Sequence, residues 1–91
     1  MDFRVIRRVK MRLDKFLKVS RILKRRTVAK EVCESGKVEL NGRSAKPSSE
    51  LKEGDVVSIS YMSGKFVFRV LMLKESVRKD EADKMYEVIS E

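Results

Sequence analysis

Arg12-Leu13-Asp14-Lys15-Phe16-Leu17-Lys18, carried on through Lys24-Arg25-Arg26-Thr27-Val28-Ala29, interleaves cations with apolar residues. Leu13, Phe16, Leu17 and Ser20 stand at i, i+3, i+4 and i+7, one face of a helix of about 3.6 residues per turn. That spacing predicts a first helix over about Arg12 to Val19, with Arg12, Lys15 and Lys18 off its apolar face. Lys24-Arg25-Arg26 reads as a basic connector anchored inward by Ile22 and Leu23. A second helix is expected from about Val28 to Ser35. Thr27 suits its N-cap, because a hydroxyl can accept a free N–H of the first turn. Gly36 suits its C-terminal stop, since glycine tolerates the left-handed conformation. Val28, Ala29, Val32 and Cys33 supply the apolar face of this helix. The pair resembles a helix-turn-helix in outline.

Beyond Gly36 the period changes from helical to alternating. Val38-Glu39-Leu40 and Arg43-Ser44-Ala45 flank Asn41-Gly42, and a type I′ hairpin turn needs positive φ at both of those central positions. Pro47-Ser48-Ser49 and Gly54-Asp55 mark loops. Val57, Ile59 and Tyr61 alternate with Ser58 and Ser60, which predicts a half-buried strand with Tyr61 packed in the core. Ser63-Gly64-Lys65 reverses the chain. Phe66, Phe68, Val70 and Met72 then alternate with Val67, Arg69, Leu71 and Leu73. The sheet is therefore small and antiparallel, with one face on the helices. Ala82, Met85, Tyr86 and Ile89 again fall at i, i+3, i+4 and i+7, which predicts a last helix from about Arg78 to Ile89 whose apolar stripe either closes the sheet, the favoured reading in so small a domain, or docks on a partner. The fold class is α+β. The chain divides into a basic extension over 1–10, a domain over 11–74 and a C-terminal helical segment over 75–91.

Composition sets the function classes. Ninety-one residues hold one small core. No apolar run approaches the roughly 20 residues needed to span a bilayer, and no signal-peptide pattern is visible. A cytoplasmic, membrane-free protein is expected. Histidine is absent and Cys33 is the single cysteine, so the usual general base is missing and no Cys/His zinc site can form within the chain. Cys33 reads as a small core residue. The four glycines are widely spaced and suit turns, not a phosphate loop. No cofactor, metal or catalytic residue is expected.

The formal charge of +8 is segregated: residues 1–46 carry a net +10 and residues 47–91 a net −2. Such a distribution aims a field at a polyanion. Arg12, Lys15, Lys18, Arg21, Lys24, Arg25, Arg26 and Lys30 crowd into one short stretch, and Arg43 and Lys46 extend the surface beyond the hairpin. Arginine's planar fork grips phosphate bidentately and lysine adds point charge. The N-terminus of the second helix adds free N–H groups beside Thr27. Asp14, inside this cluster, reads as the carboxylate that holds neighbouring cations in place. Arg-Leu-Asp also occurs around the catalytic aspartate of pseudouridine synthases, but here Lys15-Phe16-Leu17 follows instead of their Thr-Ser-Gly. With Phe3 and Tyr61 as the only stacking candidates, recognition by shape and backbone of a folded or double-stranded RNA fits better than single-strand stacking.

Arg12-Leu13-Asp14-Lys15-Phe16-Leu17, Arg26-Thr27-x-Ala29, Gly36, Val38-x-Leu40-Asn41-Gly42, Pro47-Ser48 and Gly54-Asp55 together resemble the S-four (alpha-L) RNA-binding domain family over about residues 11–62. Over 11–90, the run from Met11 to Arg21, Lys24-Arg25-Arg26-Thr27, Glu81-Ala82 and Met85-Tyr86 resemble the RqcP (YabO) family of short bacterial ribosome-associated quality-control proteins. The resemblance implies a ribosome-associated protein that binds large ribosomal subunits obstructed by peptidyl-tRNA; a monomer is expected. It implies contacts to large-subunit ribosomal RNA and to tRNA, and support of an RqcH-type tailing factor that adds C-terminal alanines. The family's RNA-contacting arginines correspond to Arg12 and Arg26. Residues 1–10 depart from typical members. Three other readings stay open: a heat-shock relative that moves the tRNA without tailing, a pseudouridine synthase, and a DNA-binding helix-turn-helix. The second helix, with Lys30, Glu31 and Glu34, has few groups suited to base edges.

Overall fold

The computed structural model describes residues 10–75 and 77–90. Chain order is β1 (Met11–Arg12), α1 (Leu13–Val19), α2 (Arg26–Glu34), β2 (Val38–Leu40), β3 (Arg43–Ser44), β4 (Glu50–Leu51), β5 (Val56–Tyr61), β6 (Gly64–Val70), a 3-10 helix (Lys79–Met85) and β7 (Tyr86–Ser90). Phe3 and the rest of the basic extension before Lys10 lie outside the described residues.

The periodic reading of α1 holds. Leu13, Phe16, Leu17 and Ser20 are all buried. Phe16 stacks on Phe68 of β6 with ring centroids 6.0 Å apart, which seats the helix on the sheet. Burial of a side chain this size contributes about 1.5–3 kcal/mol. Truncation of Phe16 to alanine, with the cavity it leaves, costs about 3–5 kcal/mol. Ile22 and Leu23 are half-buried against the same core. In α2, Ala29 and Cys33 face inward, but Val28 is 39% exposed. The expected inward Val28 is thus corrected: α2 presents only a narrow stripe to the core.

Five antiparallel strands form the main sheet in the order β3-β2-β5-β6-β7, and β1 pairs with β4 in a separate two-stranded sheet. Asn41 and Gly42 have φ of 52° and 85°, the pair of positive values that a type I′ turn requires. Asn41 does a second job: its side-chain amide donates to Asp55 at 3.2 Å and its carbonyl accepts the Val56 N–H at 2.9 Å. The hairpin is thereby fastened to the start of β5. Val57 and Ile59 pair with Phe68 and Phe66, so the alternating residues of β5 and β6 share the core face.

Two expectations fail beyond β6. The alternation through Leu73 does not continue as strand: β6 ends at Val70, and the Leu71 N–H turns to the Met85 carbonyl at 2.8 Å. The helix expected over Arg78–Ile89 is instead a 3-10 helix to Met85 followed by the edge strand β7 on β6. Ala82 and Met85 are buried as the helical period requires, yet Ile89 is 47% exposed. The reason is tertiary. The free edge of β6 offers ladder hydrogen bonds, and Tyr86-Glu87-Val88-Ile89 has the aromatic and β-branched residues that fit a pleated edge. The described residues 77–90 thus hold a 3-10 helix and then a strand of the domain's own sheet.

Candidate nucleic-acid interface

The interface is organised by one buried carboxylate. The first backbone N–H groups of α1 are taken up by a neighbouring loop: Leu13 donates to the Ser49 carbonyl at 2.8 Å and Asp14 to the Pro47 carbonyl at 3.1 Å. Pairing of Met11 with Leu51 and of Arg12 with Glu50 holds the chain just ahead of the helix. Asp14 is thus fixed where α1 begins, and it is 2% exposed. Its Oδ1 accepts the Lys15 N–H at 2.7 Å and Arg12 Nε at 3.2 Å, while Oδ2 accepts Arg12 Nη2 at 3.0 Å. From the start of α2, Arg26 Nη2 stands 3.5 Å from the same Oδ1. One carboxylate therefore orients two guanidinium groups from different elements. Each arginine side chain remains 49% exposed. Among the described residues neither guanidinium meets another acceptor, and their remaining donors suit bidentate contact with phosphate, where arginine surpasses lysine.

Thr27 does not cap α2. The N-cap is Arg25, no side chain caps the helix, and Arg26 is its first residue. The family-like Arg-Thr pair thus lies inside the first turn, and that turn contains no acid. The positive end of the helix faces outward beside Arg25 and Arg26. Lys46 and Glu34 line a groove with Arg12, floored by Cys33, Ala45 and Pro47. Burial first, then the carboxylates of Asp14 and Glu34, push the Cys33 thiol up to about 11, so it sits protonated in that floor.

A second basic cleft runs from the end of α1. Lys18, Arg21 and Lys24 line it with Glu75, Val77 and Lys79. Lys15 does not join them freely, because its ammonium pairs with Glu75. Arg21 sits at φ 63°, the left-handed position past the helix that glycine usually occupies, with its N–H on the Lys18 carbonyl at 3.0 Å. A bulky residue there costs about 1 kcal/mol, and it aims a long cation off the helix end. Lys30 is exposed on α2. Arg43 is exposed on the edge strand β3 and lines neither groove. Lys79 was not legible as part of this surface, since nothing local distinguishes it from other solvent-facing lysines. Tyr61, expected in the core, is 48% exposed: it is the last residue of β5, and Gly64 opposite it brings no side chain to cover the ring. Among the described residues, no three metal-ligating side chains cluster, and no helix is long and apolar enough to cross a membrane.

The elements that carry Asp14, Arg12 and Arg26 coincide with a known unit: residues 11–57 match the S4 domain. The chain belongs to the S4 domain family. A protein of Streptococcus pneumoniae named RQC P-site tRNA stabilizing factor is 53% identical over 81 residues, covering 89% of this chain and 92% of that protein. A Bacillus subtilis protein of the same name is 47% identical, covering 89% of this chain and 94% of that one. Among solved structures, trimeric heat shock protein 15 of Vibrio cholerae superposes with a TM-score of 0.81 at 29% identity, over 90% of this chain and 84% of that one. The S4 domain here thus comprises α1, α2 and the first strands, and the 3-10 helix with β7 completes the sheet beyond the matched region.

Proposed function

We propose that this protein is a non-enzymatic, cytoplasmic RNA-binding factor of ribosome-associated quality control. It grips large-subunit ribosomal RNA and peptidyl-tRNA on an obstructed large ribosomal subunit and so holds one tRNA placement. In this reading it acts as a monomer beside an RqcH-type factor while C-terminal alanines are added to the stalled chain. Residues 11–74 carry the RNA face, and the basic residues of 1–10 add charge ahead of it. The single observation that carries the reading is the Asp14 carboxylate holding Arg12 and Arg26 with their outer faces open. The names of relatives at 47–53% identity support the ribosomal setting.

The test is sedimentation of lysate containing the tagged chain. Co-migration with large subunits that carry tRNA is the expected result, and Arg26→Ala should abolish it while Arg69→Ala, on the exposed face of β6, should not. A tagged protein that stays at the top of the gradient refutes the proposal. A second reading is repositioning of tRNA without tailing, favoured by the likeness to heat shock protein 15. Alanine tails lost on deletion of this protein, and restored by its return, support the first reading. Intact tails in the deletion strain support the second.

A further inference from the structure

A cleft at the open end of the sheet stands apart from the Asp14 cluster. Arg21, Ile22, Tyr61, Lys65, Phe66 and Tyr86 line it. Tyr61 and Phe66 continue the core faces of β5 and β6, in line with Ile59 and Phe68. At this end Phe66 and Tyr86 are half-buried against the core and Tyr61 is exposed, so the aromatic row that begins at buried Phe68 reaches solvent at Tyr61. Phe66 lies 5.7 Å from Phe68 and 6.4 Å from Tyr86, ring centroid to centroid. Tyr61 pairs across the hairpin with Gly64, so its half-exposed ring has no cross-strand side chain beside it. Two cations, Arg21 and Lys65, line the cleft with these aromatics, and no carboxylate appears among the described residues lining it. Burial raises the Tyr61 hydroxyl above its ordinary pKa, so it brings no negative charge at neutral pH. Arg21 also borders the basic cleft of Lys18, Lys24 and Lys79. The two clefts therefore meet at Arg21.

We propose that this cleft receives one unstacked nucleotide of the bound RNA, its base against the Tyr61 ring and its flanking phosphates on Arg21 and Lys65. An exposed aromatic ring in a cleft that two cations line and no acid enters matches a nucleotide in shape and charge. An apolar peptide would match the rings and leave the two cations unpaired. The inference rests on the RNA-binding reading above, and it adds a base-reading element to what is otherwise backbone recognition.

The probes are three RNA duplexes: a continuous one, one with a single bulged fluorescent adenine analogue, and one with an abasic bulge. The full-length protein should bind the bulged base about tenfold more tightly than the abasic bulge and quench its fluorescence. Tyr61→Ala should bind both bulged duplexes equally and quench neither, with its melting curve and its affinity for the continuous duplex unchanged. Tyr61→Phe should behave as the parent. Lys65→Ala should weaken the bulged complex and flatten its salt dependence by about one counterion. Equal affinity of the parent for base and abasic bulge overturns the inference, and so does quenching that survives in Tyr61→Ala. Continuous-duplex binding that depends on Arg26 but never on Tyr61 keeps the RNA-binding reading while the nucleotide cleft falls. Absence of binding to all three duplexes overturns both.

Discussion

Asp14→Asn separates two explanations of RNA binding that otherwise predict the same things. The substitution is nearly isosteric, but it raises the net charge by one unit from +8. If binding were only a matter of total charge, the variant would bind RNA more tightly. The geometry predicts the opposite. The Lys15 N–H bond at 2.7 Å to a carboxylate that is 2% exposed is a buried, charge-assisted bond worth about 1.5–3 kcal/mol. An asparagine oxygen retains about 1 kcal/mol of it as a neutral acceptor. Arg12 and Arg26, each 49% exposed, add about 0.5 kcal/mol apiece after solvent screening. The net cost to folding is about 2 kcal/mol, which lowers Tm by about 8–16 °C in a domain of this size. Binding suffers separately. Two guanidinium groups lose the partner that orders them, and each rotamer-rich side chain ordered afresh costs about 0.5–1.5 kcal/mol. RNA affinity should therefore fall about tenfold. Fluorescence anisotropy with a labelled RNA hairpin, at a temperature where circular dichroism shows the variant folded, measures it. A folded Asp14→Asn protein that binds equally or more tightly refutes the orienting role of Asp14.

Arg21→Gly should raise Tm by relieving a left-handed arginine, a gain of about 1 kcal/mol, and should weaken RNA binding. A variant with lower stability, or with undiminished binding, contradicts the assignment. Arg26→Lys should bind less well than the parent in the same anisotropy assay, because an ammonium cannot present two parallel donors. Full affinity would mean that the contact is a point charge. Cys33 has its folded pKa raised from 9.0 to about 11, so its contribution to stability is complete below pH 9 and is lost as pH rises toward 11. Denaturant melts should show that alkaline loss diminished in Cys33→Ala, and an identical pH profile for both proteins would exclude it. In the folded parent, thiol reagents at pH 8 should label Cys33 only slowly.

Much of the fold was legible because it is locally encoded. Leu13, Phe16, Leu17 and Ser20 announce the buried face of α1 through spacing alone, and all four are buried. Asn41-Gly42 specifies its turn through backbone sterics that no distant residue needs to support. The same logic misled at both flanks. Thr27 has cap chemistry, yet the helix begins at Arg26, so a favourable residue type did not fix the boundary. Tyr61 has the parity of a core residue, but parity does not say which neighbours cover a strand's last residue, and here the partner opposite is Gly64. The helical spacing of Ala82, Met85, Tyr86 and Ile89 was outweighed by an available strand edge.

The candidate site divides along the same line. The sequence by itself determined the charge segregation, the crowd of cations between Arg12 and Lys30, and Asp14 as the carboxylate among them. Those features depend on composition and near neighbours. Only the tertiary structure decided that Arg12 and Arg26 share one buried carboxylate, that Glu75 takes Lys15, and that Lys79 joins Lys18, Arg21 and Lys24 around one cleft. These juxtapositions come from packing α1 and α2 on the sheet and from closing the chain with β7. They join residues far apart in sequence through contacts to which no local periodicity responds.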